Sequence, residues 1–228
     1  MSKSLGNSPD PIKLIEKYGA DGVRTGMLLC APAGNDLLFD EKLCEQGRNF
    51  TNKIWNALNL LKTWTVTSKK QSDIDLNAID WFQTKLNNEI INIEEKFQKF
   101  KLSEALMIIY KLVWNDFCAW YLEMIKPEYG EPMPEKTYNK TVCFLESLMK
   151  ILHPFMPFIS EEVFHKLKKR PKKDSIMIAQ WPEVEKNEKH PLENSAILKQ
   201  ANDALIVRYQ EDFVRTQNTT SLVILKVY

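Results

Sequence analysis

Three short stretches of this sequence carry residue types that could do chemistry. Near the start, "MSKSLGN" sets the Ser2 and Ser4 hydroxyls on either side of the Lys3 ammonium, in a glycine-containing loop just ahead of a helix start. A movable point charge between two neutral donors suits the oxygens of a phosphate. The same residues would also serve as a solvated polar terminus, and their spacing alone does not choose. A Walker-type phosphate loop is excluded, because GxxxxGK[ST] occurs nowhere in the chain. Further on, "RNFTNKIWNA" places Arg48, Asn49, Asn52, Lys53, Trp55 and Asn56 within about two and a half helical turns. Such a row can meet phosphates or exposed bases, and an indole can stack on a base. It can equally cap neighbouring helices, and a helical Trp is more often core. The third stretch, "KLKKRPKKD", holds Lys166, Lys168, Lys169, Arg170, Lys172 and Lys173, six cations within eight residues. That density attracts a phosphate backbone, although cations also favour helix C-termini.

Other reactive residue types read as structural. Cys30, Cys44, Cys118 and Cys143 stand far apart without CxxC spacing, which argues against a metal site or a disulfide framework and for reduced, buried thiols. His153, between Leu152 and Pro154 in "LHPFMPF", reads as a satisfied structural group at a helix bend made by Pro154 and Pro157. Trp114, Phe117, Trp120 and Tyr121 read as core, with Asp116 and Glu123 exposed or paired.

These residues need elements to position them. The chain has 228 residues, 44% of them apolar and 27% charged, enough to bury a core. The sequence has neither a run of about 18 apolar residues nor a secretory signal, so a cytoplasmic protein is expected. The net charge is +1, so a nucleic-acid partner has to be held by local basic surface. Glycine is rare, at 7 residues, and apolar residues recur three and four apart, so the fold is expected to be mainly α, an antiparallel helical bundle. Asp10 and Pro11 open a short helix that Gly19 ends, and a second runs from Asp21 to Cys30. Asp40 and Glu41 open what is expected to be the longest helix, to Trp64, with Leu43, Phe50, Ile54, Leu58 and Leu61 as its apolar stripe. "TVTSKKQSDIDLN" reads as a polar linker before helices at 78–99, 103–125, 135–152 and 158–169. "SIMIAQW" reads as a strand, 195–216 as a helix and "SLVILKVY" as a β-rich run.

"MSKSLGN" with "DPIKLIEKYGADGVR" resembles the KMSKS region of class I aminoacyl-tRNA synthetases. "AGNDLLFDE" and "RNFTNKIWNA" look like the valyl branch of that family, and "WNDFCAWYLEMIK" and "LHPFMPFISEEVF" are similar to its next helix signatures. The resemblance implies a C-terminal fragment starting within the signature. It divides the chain into a signature loop and junction helices (1–39), an anticodon-binding bundle (40–172) and the start of a truncated α+β subdomain (173–228). The implied reaction is ATP-dependent activation of valine and its transfer to tRNA(Val). Lys3 would be catalytic, Ser2, Lys3 and Ser4 ATP-binding, and Arg48, Asn49, Asn52, Lys53, Trp55 and Asn56 tRNA-binding. ATP would arrive with Mg as counter-ion to a monomeric parent enzyme, and the fragment alone would be inactive. The alternatives are the equivalent part of an isoleucyl-type enzyme, or a non-catalytic helical module that binds tRNA or protein.

Overall fold

A computed structural model describes residues 9–31, 39–128, 130–171 and 173–184. The readings on Ser2, Lys3 and Ser4, on Lys172, and on the segments 195–216 and 221–228 lie outside the described residues.

Local capping decides where the first helices begin. Helix α1 (Pro11–Tyr18) starts where the Asp10 carboxylate accepts the Ile12 amide at 3.0 Å, with Pro11 in the first turn where no amide hydrogen is needed. Gly19, at φ 76°, lets the chain turn directly into α2 (Ala20–Leu29). Helix α3 (Glu41–Thr63) is capped in the same way, by Asp40 on the Lys42 amide at 2.9 Å.

The expected linker is mostly structured. Val66–Thr67 (β1) pairs in parallel with Met133–Pro134 (β2), a contact between segments far apart in sequence. Helix α4 (Asp73–Gln98) begins five residues earlier than expected, because Ser72 and Asp75 form a reciprocal capping box: the Asp75 amide donates to Ser72 Oγ at 3.1 Å and the Ser72 amide to Asp75 Oδ2 at 2.9 Å. At 26 residues, α4 is longer than the 23-residue α3, which corrects the expectation for the longest helix.

The expected helix 103–125 is divided into α5 (Leu102–Lys111), a π-helical stretch (Leu112–Tyr121) and α6 (Leu122–Ile125). Helices α7 (Glu135–Leu152) and α8 (Pro157–Leu167) follow closely as anticipated, separated by the proline-bearing corner. Phe50, Ile54 and Leu58 of α3, Phe82 and Ile90 of α4, Phe117 and Tyr121 of the π-helix, and Phe144 and Leu148 of α7 share one core. Phe82 is its hub, with ring centroids 5.0 Å from Tyr121 and 4.9 Å from Phe144. The buried Tyr121 hydroxyl is satisfied by Thr141 Oγ1 at 2.8 Å.

Two more expectations are corrected. "SIMIAQW" is not a strand; its centre is one 3-10 turn, Ile176–Ile178. The backbone donors that a strand would offer to a neighbour are spent locally. The Ile176 amide donates to Glu161 Oε2 at 3.2 Å and the Met177 amide to Ser175 Oγ at 3.2 Å, while Ile176 is buried. Cys30, Cys44 and Cys118 are buried thiols, but Cys143 is exposed, on the outer side of α7.

Candidate nucleic-acid interface

The position of α3 is set by backbones that almost touch. Cβ atoms built on Gly26 and Gly47 would stand 2.6 Å from the Cys44 amide nitrogen and 2.6 Å from the Gly22 carbonyl oxygen respectively, closer than side-chain carbons approach. Gly22 is nearly as tight, 3.1 Å from the Arg48 nitrogen. Three glycines therefore let α2 and α3 cross at contact distance and hold Arg48 beside the end of α1. The GxxxG spacing in α2 was the available signal for this crossing, and the sequence reading passed over it.

Arg48 is exposed and donates from Nη1 to the Lys17 carbonyl at 2.9 Å, leaving other guanidinium donors uncommitted. Together with Lys17, Tyr18, Glu45, Asn49 and Asn52 it lines an open groove of about 370 Å³ between α1 and α3. Of the anticipated residues, Arg48, Asn49 and Asn52 are brought together here; Lys17, Tyr18 and Glu45 were missed. Lys17 pairs with Glu41 at 2.9 Å and Tyr18 donates to the same Glu41 oxygen at 2.8 Å. Contacts with Tyr18 and Glu41 raise the Lys17 ammonium well above its ordinary value. Hydrogen bonds from Lys17 and Tyr18 hold the Glu41 carboxyl below the usual carboxylate range. Both groups are charged at neutral pH, so the rim mixes signs, with Arg48 and the two asparagines exposed on its α3 side.

Lys53, Trp55 and Asn56 are placed differently. Lys53 is half-buried with its ammonium 5.7 Å from the centre of the Trp114 ring, which itself stacks on Tyr110 at 5.5 Å. Trp55 is half-buried at the edge of the main core, with Lys166 Nζ 5.7 Å from its ring centre. Asn56 is exposed on α3.

The junction between α2 and the α7–α8 corner is a closed polar site. Asp21 accepts the Ile159 amide at 2.6 Å and the Phe158 amide at 3.3 Å, capping the start of α8 from another helix. Burial pushes the Asp21 carboxyl above its ordinary value, the two amides and the Arg24 charge opposing it only in part. Arg24 donates to the carbonyls of Phe155 and Pro154 at 3.1 and 3.2 Å. His153 Nδ1 lies 2.8 Å from Ser160 Oγ, and desolvation lowers its pKa against the opposing charges of Glu161 and Asp21. His153 is thus a satisfied structural group, as its setting beside two prolines suggested.

In the lysine-rich stretch, Arg170 is an anchor rather than a free cation. It pairs with Glu146 at 2.8 Å and Asp174 at 3.1 Å, donates to the Phe164 carbonyl, and lies 3.7 Å from the Phe164 ring centre. Lys168 also reaches Glu146, and Lys166 pairs with Glu162. Asp116 pairs with Lys85 and Glu123 with Lys126. Among the described residues no group of His, Cys, Asp and Glu is arranged to hold a metal ion, and no helix is long and apolar enough to cross a membrane.

A family model described as the anticodon-binding domain of tRNA ligase matches residues 80–219. A valine--tRNA ligase of Christiangramia forsetii is 55% identical over 187 residues, covering 82% of this chain and 21% of that protein. That of Parabacteroides distasonis is 54% identical over 185 residues, covering 81% and 21%. That of Clostridium tetani is 39% identical over 213 residues, covering 90% and 23%. The chain thus spans about a fifth of the length of these curated relatives. Among solved structures, the Agrobacterium radiobacter K84 LeuRS–tRNA–LeuAMS ternary complex aligns at a TM-score of 0.58 and 19% identity, over 86% of this chain and 22% of that one. Mycobacterium tuberculosis methionyl-tRNA synthetase in complex with methionyl-adenylate aligns at 0.51 and 18%, over 78% and 37%. At those identities the likeness is one of fold.

Proposed function

Because this chain belongs to the family of tRNA-ligase anticodon-binding domains, we propose that it is the tRNA-binding part of a cytoplasmic, monomeric valine--tRNA ligase. The parent enzyme activates valine with ATP and transfers the valyl group to tRNA(Val). In this reading residues 1–39 supply the signature loop and junction helices, 40–172 the anticodon-binding bundle and 173–228 the start of a further subdomain. The observation that carries it is the match over residues 80–219, a segment whose π-helix and α8 pack directly on α3.

Arg48, Asn49 and Asn52 offer donors and amides to the tRNA from the groove beside α1, with Asn56 further along the same helix. Lys53 and Trp55 act from the core edge, where Trp114 and Lys166 already hold them, so their contribution is smaller. Ser2, Lys3 and Ser4 contact the phosphates of ATP, with Mg as its counter-ion, and Lys3 stabilises charge developing there as the adenylate forms. In the full-length ligase, Lys3→Ala is expected to slow ATP–pyrophosphate exchange by about 10²- to 10³-fold while leaving valine binding nearly intact. Unchanged exchange overturns that role.

The direct test of the bundle measures the affinity of this chain for a valine tRNA transcript and for the same transcript with its anticodon replaced, at two salt concentrations. Preference for the native transcript at both salts is the expected result. Equal binding that disappears with salt would mean that the contact is electrostatic only and that the anticodon is read elsewhere.

A further inference from the structure

The two basic stretches that are separate in sequence meet on one surface. Arg48, Asn52 and Trp55 fall at i, i+4 and i+7 of α3, a spacing that puts them on one face over about 10 Å of helix. Lys166, from the last turn of α8, lies over the Trp55 ring at the far end of that line. Beyond Lys166 the charge is strongly one-sided. The single Glu146 carboxylate receives Lys150 at 3.5 Å, Lys168 at 2.7 Å and Arg170 at 2.8 Å, with Asp174 as a second partner for Arg170 at 3.1 Å, so three cations meet two carboxylates. Lys169 and Lys173 are exposed and make no ion pair among the described residues.

The corner is also held rigidly. Arg170 is only 14% exposed at its side chain and is fixed by Glu146, Asp174, the Phe164 carbonyl and the Phe164 ring, so the backbone carrying Lys168, Lys169 and Lys173 has a defined place next to α8. A helix end that needed only solubility would not require a half-buried guanidinium tying it down. Exposed Lys169 and Lys173, beside Lys166 and Lys168 whose ion pairs are on the surface, suit an extended polyanion whose phosphates repeat, since lysine binds phosphate as a point charge without demanding one geometry.

We propose that the corner formed by Lys166, Lys168, Lys169 and Lys173 is a second contact for RNA, gripping the phosphate backbone of the tRNA beside the α3 row and independently of its sequence. This rests on the tRNA reading above and extends it from the groove to the end of α8. The division of labour is physical: amides and a guanidinium on α3 provide directional contacts, and lysines at the corner provide salt-dependent affinity.

The test uses the full chain and its Lys169→Ala/Lys173→Ala variant, with the native and anticodon-replaced transcripts, across a salt series. Both lysines are exposed and ion-pair free, so the variant should melt with the parent. Expected is an equal loss for both transcripts, about tenfold near 0.1 M salt, and a slope of log affinity against log salt that becomes shallower by between about one and two. Unchanged affinity and slope in a chain that does bind tRNA overturns the corner contact alone. A loss confined to the native transcript also overturns it, because the corner would then read sequence. If the parent chain binds neither transcript, the tRNA reading itself falls, and this contact with it.

Discussion

The junction of α2 with the bundle and the outer face of α3 are both rich in polar residues, yet they are built on opposite terms. At the junction, Asp21 spends its carboxylate on two α8 amides and Arg24 two of its donors on two carbonyls, while His153 faces Ser160. On α3, Arg48 commits one donor to Lys17 and the asparagines around it stay exposed. This contrast separates architecture from interface in a helical domain. A polar side chain whose hydrogen-bonding capacity is already filled within the fold holds the fold together, whereas one with capacity left over is available to a partner. Arginine alone distinguishes nothing, since Arg170 is held by two carboxylates, a carbonyl and a ring, Arg24 by two carbonyls and Arg48 by one.

If that division is right, the largest effects on stability come from the glycines that let α2 and α3 meet. Gly26→Ala and Gly47→Ala each place a Cβ 2.6 Å from backbone atoms and should cost about 1–3 kcal/mol in urea unfolding. Alanine's better helix propensity, worth about 1 kcal/mol, pulls the other way, so a neutral or stabilising result would show that the crossing can relax. Next comes Asp21→Ala, which strips a cap from α8 and should cost about 1 kcal/mol. Asp21→Asn sharpens the point, because it keeps an acceptor without the buried charge. The folded pKa of Asp21 is raised, so the folded state takes up this proton first as pH falls. Wild type should therefore gain stability relative to Asp21→Asn on acidification through the carboxylate range, and no such gain would mean that the carboxylate is not desolvated.

His153 gives a smaller, pH-resolved effect. Its folded pKa is lowered, so its contribution is complete above the ordinary histidine value and is lost as pH falls through that value towards the folded one. His153→Gln should flatten the decline in melting temperature between about pH 7 and 5, where an unperturbed histidine titrates. Smallest of all, Arg48→Ala should change stability by less than about 0.5 kcal/mol, as exposed substitutions do, while weakening tRNA binding several-fold. A large loss of stability with unchanged binding would move Arg48 into the structural class and undo the comparison.

Much of this was legible because the signals are local. Asp10–Pro11 and Asp40 announce helix starts through contacts two residues away, and the α3 stripe of Phe50, Ile54 and Leu58 lies fully in the core. The signal for α4 was equally local, since Ser72 and Asp75 form a capping box, but the charged text around it read as a linker. The groove was half legible: Arg48, Asn49 and Asn52 sit on one helix and can be found by spacing, but Lys17 and Tyr18 join them from α1, across a contact between separate helices. "SIMIAQW" misled because β propensity does not say whether a neighbouring strand exists, and Glu161 takes the amide that such a strand would have used.

The sequence alone therefore establishes a mainly helical chain, the starts of its capped helices, much of the inward face of α3 and a family resemblance carried by short motifs. The folded arrangement alone shows that β1 pairs with β2, that Leu112–Tyr121 winds as a π-helix, that Asp21 caps a helix 137 residues away, and that Lys166 of α8 lies over Trp55 of α3. Caps and amphipathic stripes are written within a few residues of where they act. Partners for buried polar groups, close backbone crossings and surface charge patterns are fixed by which distant segments the core brings together, and no spacing along the chain encodes that distance.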